Sequence, residues 1–511
     1  MILGRSLKRN AVHYSERAAL IDERGHTITH RNFAGRVWCL ADSLTGYGLT
    51  KGSRVAILAE NSPDYLTIQF ALGAIGAWAV PINYALKIAD IDFRLAHAEV
   101  DALFVSREFV PSLAELKTTT SQRLAGRIFE LGGASPQTIP FEALIAKGTA
   151  VPPDAQVSPE DILYVGYTSG TTGTPKAALI SHRAFVGGFL YKALAYGLND
   201  RDVTLNPGPY WHSAPRDFAS LAVYLGGTAI VPQRFDAEVY LDLLEKYRVT
   251  NSFVVPTMLQ RLLASPTLAR RDLGSLRCLI SGGAPLPSVV KERILKAFGP
   301  ILTEFYGATE TRIISMISAG ELAERERSVG RPVHDVELRI LDEAGHELPA
   351  GSVGEVYLRG PGLFSGYWRD PKRTAEAHRG EWFSLGDMGR LDAEGYLYLV
   401  DRKQDMIISG GENIYPNDIE ECLERHEDVK EAAVIGVPDE QWGELVVAYV
   451  VPAPERQPSP EALTAFCAER LPTYMKLRRI EFCQSLPRNP TGKLLRRELR
   501  QQASRRAQAA E

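Results

Sequence analysis

The sequence predicts an α/β protein, a large N-terminal α/β domain followed by a small α+β domain, and three observations carry that expectation. The chain has 511 residues, more than one hydrophobic core usually serves. From residue 18 onward, short apolar runs alternate with amphipathic stretches in the manner of βαβ units. After Asp401 the pattern shifts to capped helices between longer apolar runs, which implies a compact second domain of about 110 residues. The expected domains are therefore 1–401 and 402–511.

The elements follow in order. Phe33, Val37, Leu40 and Leu44 define a helical face that stops at Gly46 and Gly48, and Val55-Ala56-Ile57-Leu58 reads as a buried strand. The most apolar stretch, 70–80, is too short to span a bilayer and reads as a buried helix running into a strand. Strands are expected at 162–165, 252–255 and 276–280, with a helix at 237–247. The Pro- and Gly-rich stretch 130–160 reads as a linker inside the first domain. In the second domain Asn417 is placed as the cap of a helix bearing Ile419, Cys422 and Leu423. Strands follow at 432–437 and 446–451, then a helix capped by Ser459 with Pro460 at its first position. The polar tail from Gln501 is expected to fray.

Bulk properties exclude several classes. An apolar fraction of 45%, a charged fraction of 23% and a net charge of −4 describe a globular protein that does not bind nucleic acid as its main partner. Cys39, Cys278, Cys422, Cys467 and Cys483 contain no C-x-x-C pair and fit neither a disulfide framework nor a zinc site. With no signal-like apolar core near Met1 and no address at the last residues, a cytoplasmic protein without a membrane span is expected.

The strongest chemical signal is Tyr167-Thr168-Ser169-Gly170-Thr171-Thr172-Gly173-Thr174-Pro175-Lys176, directly after an expected strand. Glycines let backbone N–H groups turn toward one anion, hydroxyls add donors, and Lys176 adds charge, which together make a polyphosphate cradle. The Walker A spacing is absent, so this is a different cradle from that of P-loop proteins. A flexible Gly/Thr surface loop is the plainer alternative.

This loop resembles the signature of the adenylate-forming superfamily, in particular its acyl- and aryl-CoA synthetases. The resemblance extends, in the family's order, to Tyr306-Gly307-Ala308-Thr309-Glu310, Ser384-Leu385-Gly386-Asp387, Asp401-Arg402-Lys403-Gln404-Asp405, Gly410-Gly411-Glu412-Asn413-Ile414-Tyr415-Pro416 and Pro490-Thr491-Gly492-Lys493. It implies stacked sheets in the large domain and a mobile small domain. It also implies an enzyme that uses ATP and Mg²⁺ to convert an organic acid to an acyl-adenylate, then gives the acyl group to CoA. By resemblance, Thr168, Ser169, Gly170, Thr171, Thr172, Gly173, Lys176, Gly283, Ala284, Tyr306, Gly307, Asp387 and Arg402 form the ATP site. Within it the Tyr306 ring stacks on adenine, and Asp387 and Arg402 meet the ribose. Glu310 would hold the metal, and Lys493, Thr309 and His212 join it as catalytic residues. Gln404 stands at the pivot of the small domain, where Asp or Lys is common. Gly410, Gly411, Trp442, Lys476 and Arg478 are assigned to CoA.

The acyl pocket is given Trp211, Val255 and Met316, with Phe253 and Val254 nearby. The family's H-x-x-G continuation is replaced here by His212-Ser213-Ala214-Pro215-Arg216-Asp217, so the pocket floor departs from the pattern. Arg216 and Arg312 can meet a polar group on the acid, solvated or ion-paired arginines being the ordinary alternative. Three rival readings keep the fold: loading of a carrier protein, a luciferase-like oxygenase, and a non-catalytic acyl-adenylate sensor. The Asp42-Ser43-Leu44 triplet superficially resembles a phosphopantetheine site, yet it sits on the amphipathic helix above. A homodimer is left open.

Overall fold

The computed structural model describes residues 1–168, 175–325, 327–439, 441–488 and 494–510, with backbone alone at 323 and 506–510. The chain divides into two compact units. The first comprises 1–326, 332–336 and 360–376, and the second comprises 327–331, 337–359 and 377–511.

Two largely parallel sheets build the first unit. One runs in spatial order Ile139–Pro140, Ile128–Leu131, Ala102–Ser106, Arg54–Leu58, Trp78–Pro81, Ile162–Thr168, Lys176–Ser181, antiparallel only at its last pair. The other includes Arg312–Ser318, Leu302–Ala308, Cys278–Gly282, Asn251–Val254, Val203–Leu205, Thr228–Val231, Ala18–Asp22 and Thr27–Thr29. Helix Pro63–Ile75 is buried on nearly every face, and Gln69 Nε2 donates to Ser220 Oγ at 3.1 Å on helix Ser213–Leu225, itself buried from Pro215 to Val223. Helices apolar all round are those with protein on both sides, which is what a position between stacked sheets demands. Ser62 and Ser181 cap the helices that follow them, each accepting a backbone N–H three residues on.

The second unit holds an antiparallel sheet that includes Glu337–Leu341, Gly354–Arg359, His378–Arg379, Trp382–Leu391 and Leu397–Arg402. A further sheet comprises Ile407–Ser409, Glu412–Ile414, Val429–Asp439, Gly443–Pro452 and Arg479–Phe482. No helix among the described residues is long and apolar enough to cross a membrane, and all five cysteines are free.

Several expectations are corrected. The stretch 130–160 is not bare linker, because strand Ile139–Pro140 and helix Phe141–Lys147 lie in it, anchored by buried Phe141 and Leu144. Helix Pro416–Glu424 is preceded by Tyr415 at the cap. Asn417 lies inside the helix, where its side chain donates to Val400 O and its backbone N–H to Asp401. The tail does not fray at Gln501: helix Arg496–Ala510 continues, held by buried Leu499 and Ala503. Val255 falls just past its strand, at the cap of helix Pro256–Leu263. Ser43 is buried and donates to Leu144 O, so the Asp42-Ser43-Leu44 triplet belongs to the core.

Candidate active site

Strands Ile162–Thr168 and Lys176–Ser181 pair with Thr168 opposite Lys176, so the hydroxyl- and glycine-rich loop is tied at both ends by one register. Ser169, Gly170, Thr171, Thr172, Gly173 and Thr174 lie outside the described residues. Lys176 places its ammonium over the Tyr367 ring, 5.3 Å from the centroid. The loop opens at the carboxyl end of a strand that is parallel to Trp78–Pro81, the end at which α/β sheets bind ligands.

A second loop meets the end of strand Ile162–Thr168. Strands Leu302–Ala308 and Arg312–Ser318 are joined by the turn Thr309-Glu310-Thr311, in which Thr311 Oγ1 accepts from the Ala308 N–H at 3.0 Å. Gly307 is required there, since a Cβ would lie 2.0 Å from the Arg312 carbonyl oxygen. The turn brings Glu310 to 5% exposure, so this carboxylate is not a solvated surface group. Its Oε1 accepts from Tyr367 OH at 3.1 Å and from Thr168 Oγ1 at 3.4 Å, so this carboxylate bridges the two sheets of the first unit. Gly166 is equally constrained, because a Cβ would reach Thr309 Cγ2 at 2.5 Å. Tyr306 and Met316 are half-buried on these two strands, and Gly283 (φ +86°) with Ala284 follows strand Cys278–Gly282 in the same sheet.

Helix Ser213–Leu225 points its N-terminus at this corner: Ser213 Oγ lies 3.4 Å from Thr309 Oγ1. His212 occupies the cap position and is half-buried. Burial, aided by the Arg216 cation, pulls its imidazole down to a pKa of about 4, so it is neutral near pH 7. Trp211, also half-buried, sets its ring 5.8 Å from that of His212. Phe253 is core, stacked 5.5 Å from Phe218 on the same helix.

Neither Arg216 nor Arg312 is solvated. Arg312 Nη1 meets Asp217 Oδ2 at 2.5 Å, while its Nη2 donates to Thr309 O at 2.6 Å and to the Tyr164 hydroxyl. Arg216 lies 4.1 Å above the Tyr164 ring and 3.5 Å from Asp217 Oδ1. Lys192 Nζ completes the group, 3.4 Å from Asp217 Oδ2, and burial lowers its pKa to about 8. Tyr164, Lys192, Asp217 and Tyr367 escape a sequence reading because each sits in an ordinary amphipathic or strand context; the one hint is Asp217 directly beside Arg216.

In the second unit Asp387 and Arg402 occupy paired positions of adjacent strands, with Nε 3.1 Å from Oδ1. Gln404 is exposed in the turn that follows. Gly410 (φ +61°) donates its N–H to Trp442 O at 2.8 Å, and the Arg478 guanidinium lies 4.1 Å over the Trp442 ring. Lys476 is exposed two residues before Arg478. Gly410, Trp442 and Arg478 thus come together, with Gly411 adjacent and open. Lys493 lies outside the described residues. Arg496, just beyond it, is half-buried among Asp401, Asp405 and Glu420.

The geometry has counterparts among known proteins. The AMP-binding enzyme model matches residues 7–368 and the AMP-binding enzyme C-terminal domain model matches 418–493. The chain belongs to the AMP-binding, adenylate-forming enzymes. It is 36% identical to a feruloyl-CoA synthase of an Amycolatopsis species, over 95% of this chain and 96% of that one. It is 34% identical to the fatty acid–[acyl-carrier-protein] ligase ScoC of Streptomyces coeruleorubidus, over 93% and 92%. The amide bond synthetase McbA of Marinactinospora thermotolerans superposes with a TM-score of 0.88 at 32% identity, covering 98% of this chain and 99% of that one.

Proposed function

We propose that this enzyme is an AMP-forming carboxylate–CoA ligase, which joins an aromatic or fatty acid to AMP with release of pyrophosphate and then exchanges AMP for the thiol of CoA. The observation that carries the reading is the junction at which Glu310, Thr168 and Tyr367 meet beside the loop ends Thr168 and Lys176. Attack of a carboxylate on the α-phosphorus requires compensation of charge on both the entering and leaving oxygens. The loop from Thr168 to Lys176 supplies hydroxyls, backbone N–H groups and a cation to the phosphates.

Mg²⁺ fits Glu310. The carboxylate is buried and held by neutral hydroxyls, and the described residues contain no cluster of three or more metal-binding side chains, as expected where one carboxylate shares a hard cation with substrate phosphates. When bound, the ion would neutralise developing phosphate charge. His212, neutral at the helix cap, can hold the acid by a hydrogen bond without competing with it for a cation. Tyr306 offers its ring to adenine, Asp387 and Arg402 serve the ribose, and Lys493 serves the acyl carboxylate and α-phosphate. A mobile small domain beginning near Arg402, with Gln404 as pivot, then admits the thiol along Gly411.

A carrier-protein ligase and an amide bond synthetase stand among the similar proteins, so the acceptor is part of the proposal. Trp442 under Arg478, with exposed Lys476 two residues earlier in the chain, favours CoA, whose phosphates suit such cations. The test is product analysis with acid panels, Mg²⁺ and alternative acceptors. AMP and pyrophosphate, with AMP release accelerated by CoA, are expected. ADP and phosphate as first products would refute adenylation, and acceleration by an amine or carrier protein but not by CoA would refute the acceptor.

A further inference from the structure

The cluster around Asp217 contains more charge than it needs to hold itself together. Lys192, Arg216 and Arg312 are 3%, 2% and 4% exposed, and the carboxylate that meets all three is Asp217, 2% exposed. Three cations against one anion leave two positive charges in the interior, a state that proteins avoid unless a further anion completes it. Tyr164 does not supply that anion, because burial raises its pKa and keeps the phenol neutral. Nε of both Arg216 and Arg312 is buried without a hydrogen-bond partner, and the hydroxyl of Tyr65 lies beside Arg216.

Arg312 is also built in at a cost. Its φ of +61° is a left-handed conformation that disfavours any residue with a Cβ. Its stem passes between Gly188 and Gly362, where added Cβ atoms would come within 3.1 and 3.3 Å of Arg312 Cγ. Two residues without side chains thus make room for one buried arginine. The cluster adjoins the adenylating corner: Arg312 donates to Thr309 O, and Ser213, one helical turn before Arg216, touches Thr309.

We propose that this cluster is a subsite for a second carboxylate, so that the acid activated at Thr309 and Glu310 is a dicarboxylic acid. The proposal rests on the ligase reading and narrows its substrate. The remote carboxylate takes up the unpartnered Nε donors of Arg216 and Arg312, while the near one reacts.

The test pairs each diacid with its mono-amide, for example glutarate with glutaramate and terephthalate with 4-carbamoylbenzoate, alongside neutral aromatic and fatty acids. It reads ATP-dependent pyrophosphate release and kcat/KM. A preference of at least about 30-fold for the diacid is expected, a single charge-assisted pair being worth that much. Arg216→Met, which keeps volume without charge, should abolish the preference or turn it toward the mono-amide, and Arg216→Lys should restore part of it. A variant that failed to fold would be recognised by its Tm. The wild-type ranking then decides alone. Equal or better use of the mono-amides, or activity confined to neutral acids, overturns the subsite while adenylation stands. Absence of pyrophosphate release with every acid overturns both.

Discussion

Glu310 shows how one residue acquires a role through its surroundings. A carboxylate at 5% exposure would ordinarily need a compensating charge, yet here it accepts from the hydroxyls of Tyr367 and Thr168. Those bonds fix its orientation, and under the proposed reading its charge would attract a cation that arrives with the nucleotide. Under the proposed reading Lys493 has the complementary task. By family resemblance its ammonium reaches the acyl carboxylate and the α-phosphate, a contact useful only while the phosphoanhydride is being attacked. Lys493→Ala should therefore slow adenylate formation by about 100-fold or more, the cost of losing one preorganised charge at a reacting phosphate. Thiolysis of a supplied acyl-adenylate should change by less than about 3-fold. Single-turnover assays of the two half-reactions measure both, and a parallel loss would remove Lys493 from the first step.

Among elements, the turn between strands Ile407–Ser409 and Glu412–Ile414 has the least freedom at one glycine and the most at the next. A Cβ on Gly410 would meet the Trp442 ring at 3.3 Å, whereas one on Gly411 would meet nothing within 4 Å. A side chain at 411 thus enters open space and costs only its left-handed φ of +84°, on the order of 1–2 kcal/mol. Gly411→Leu should fold, form adenylate at a near-normal rate, and form thioester at least about 10-fold more slowly by filling the pantetheine path; equal slowing of both steps would place the path elsewhere. Legibility in the sequence follows the same local logic. Ser459-Pro460 announces its helix because the cap is a contact between neighbours, Ser459 Oγ to Ala462 N. Helix Arg496–Ala510 was hidden because buried Leu499 and Ala503 are a short stripe in a charged segment. The hydroxyl- and glycine-rich segment 168–176 stood out because its signal is local, a run of neighbours directly after a strand, and Thr168 and Lys176 are indeed paired across adjacent strands. The cluster of Lys192, Arg216, Asp217 and Arg312 did not, since it is assembled from helix His182–Tyr196, helix Ser213–Leu225 and strand Arg312–Ser318, in each of which a lone charge looks solvated.

At the scale of the whole molecule, each unit contains a buried group whose titration opposes that of the other, and the contributions of these groups to stability should respond to acid in opposite senses. In the first, His182 is fully buried; its Nδ1 accepts the Leu3 N–H at 3.3 Å, and burial pulls its pKa from 6.5 to about 4. His212 is lowered to about 4 as well. Between those values the unfolded chain binds protons that the folded unit refuses, so stability is full above 6.5 and is lost as pH falls toward 4. In the second, burial pushes Asp401 from 3.8 up to about 6 despite the nearby Arg496 cation. Here the folded unit holds a proton that the unfolded chain releases, so stability is gained as pH falls through 6 toward 3.8. Going from pH 7.5 to 5, His182 alone should cost the first unit about 2 kcal/mol and Asp401 should stabilise the second by about 1 kcal/mol, at 1.36 kcal/mol per pKa unit. Hydrogen exchange corrected for intrinsic rates can follow strand Arg54–Leu58 for one unit and strand Gly443–Pro452 for the other. Protection should fall in the former and rise in the latter, with His182→Gln flattening the first slope and Asp401→Asn the second. Movement of both strands in the same direction, unaffected by either substitution, would show that these two groups do not govern the acid response.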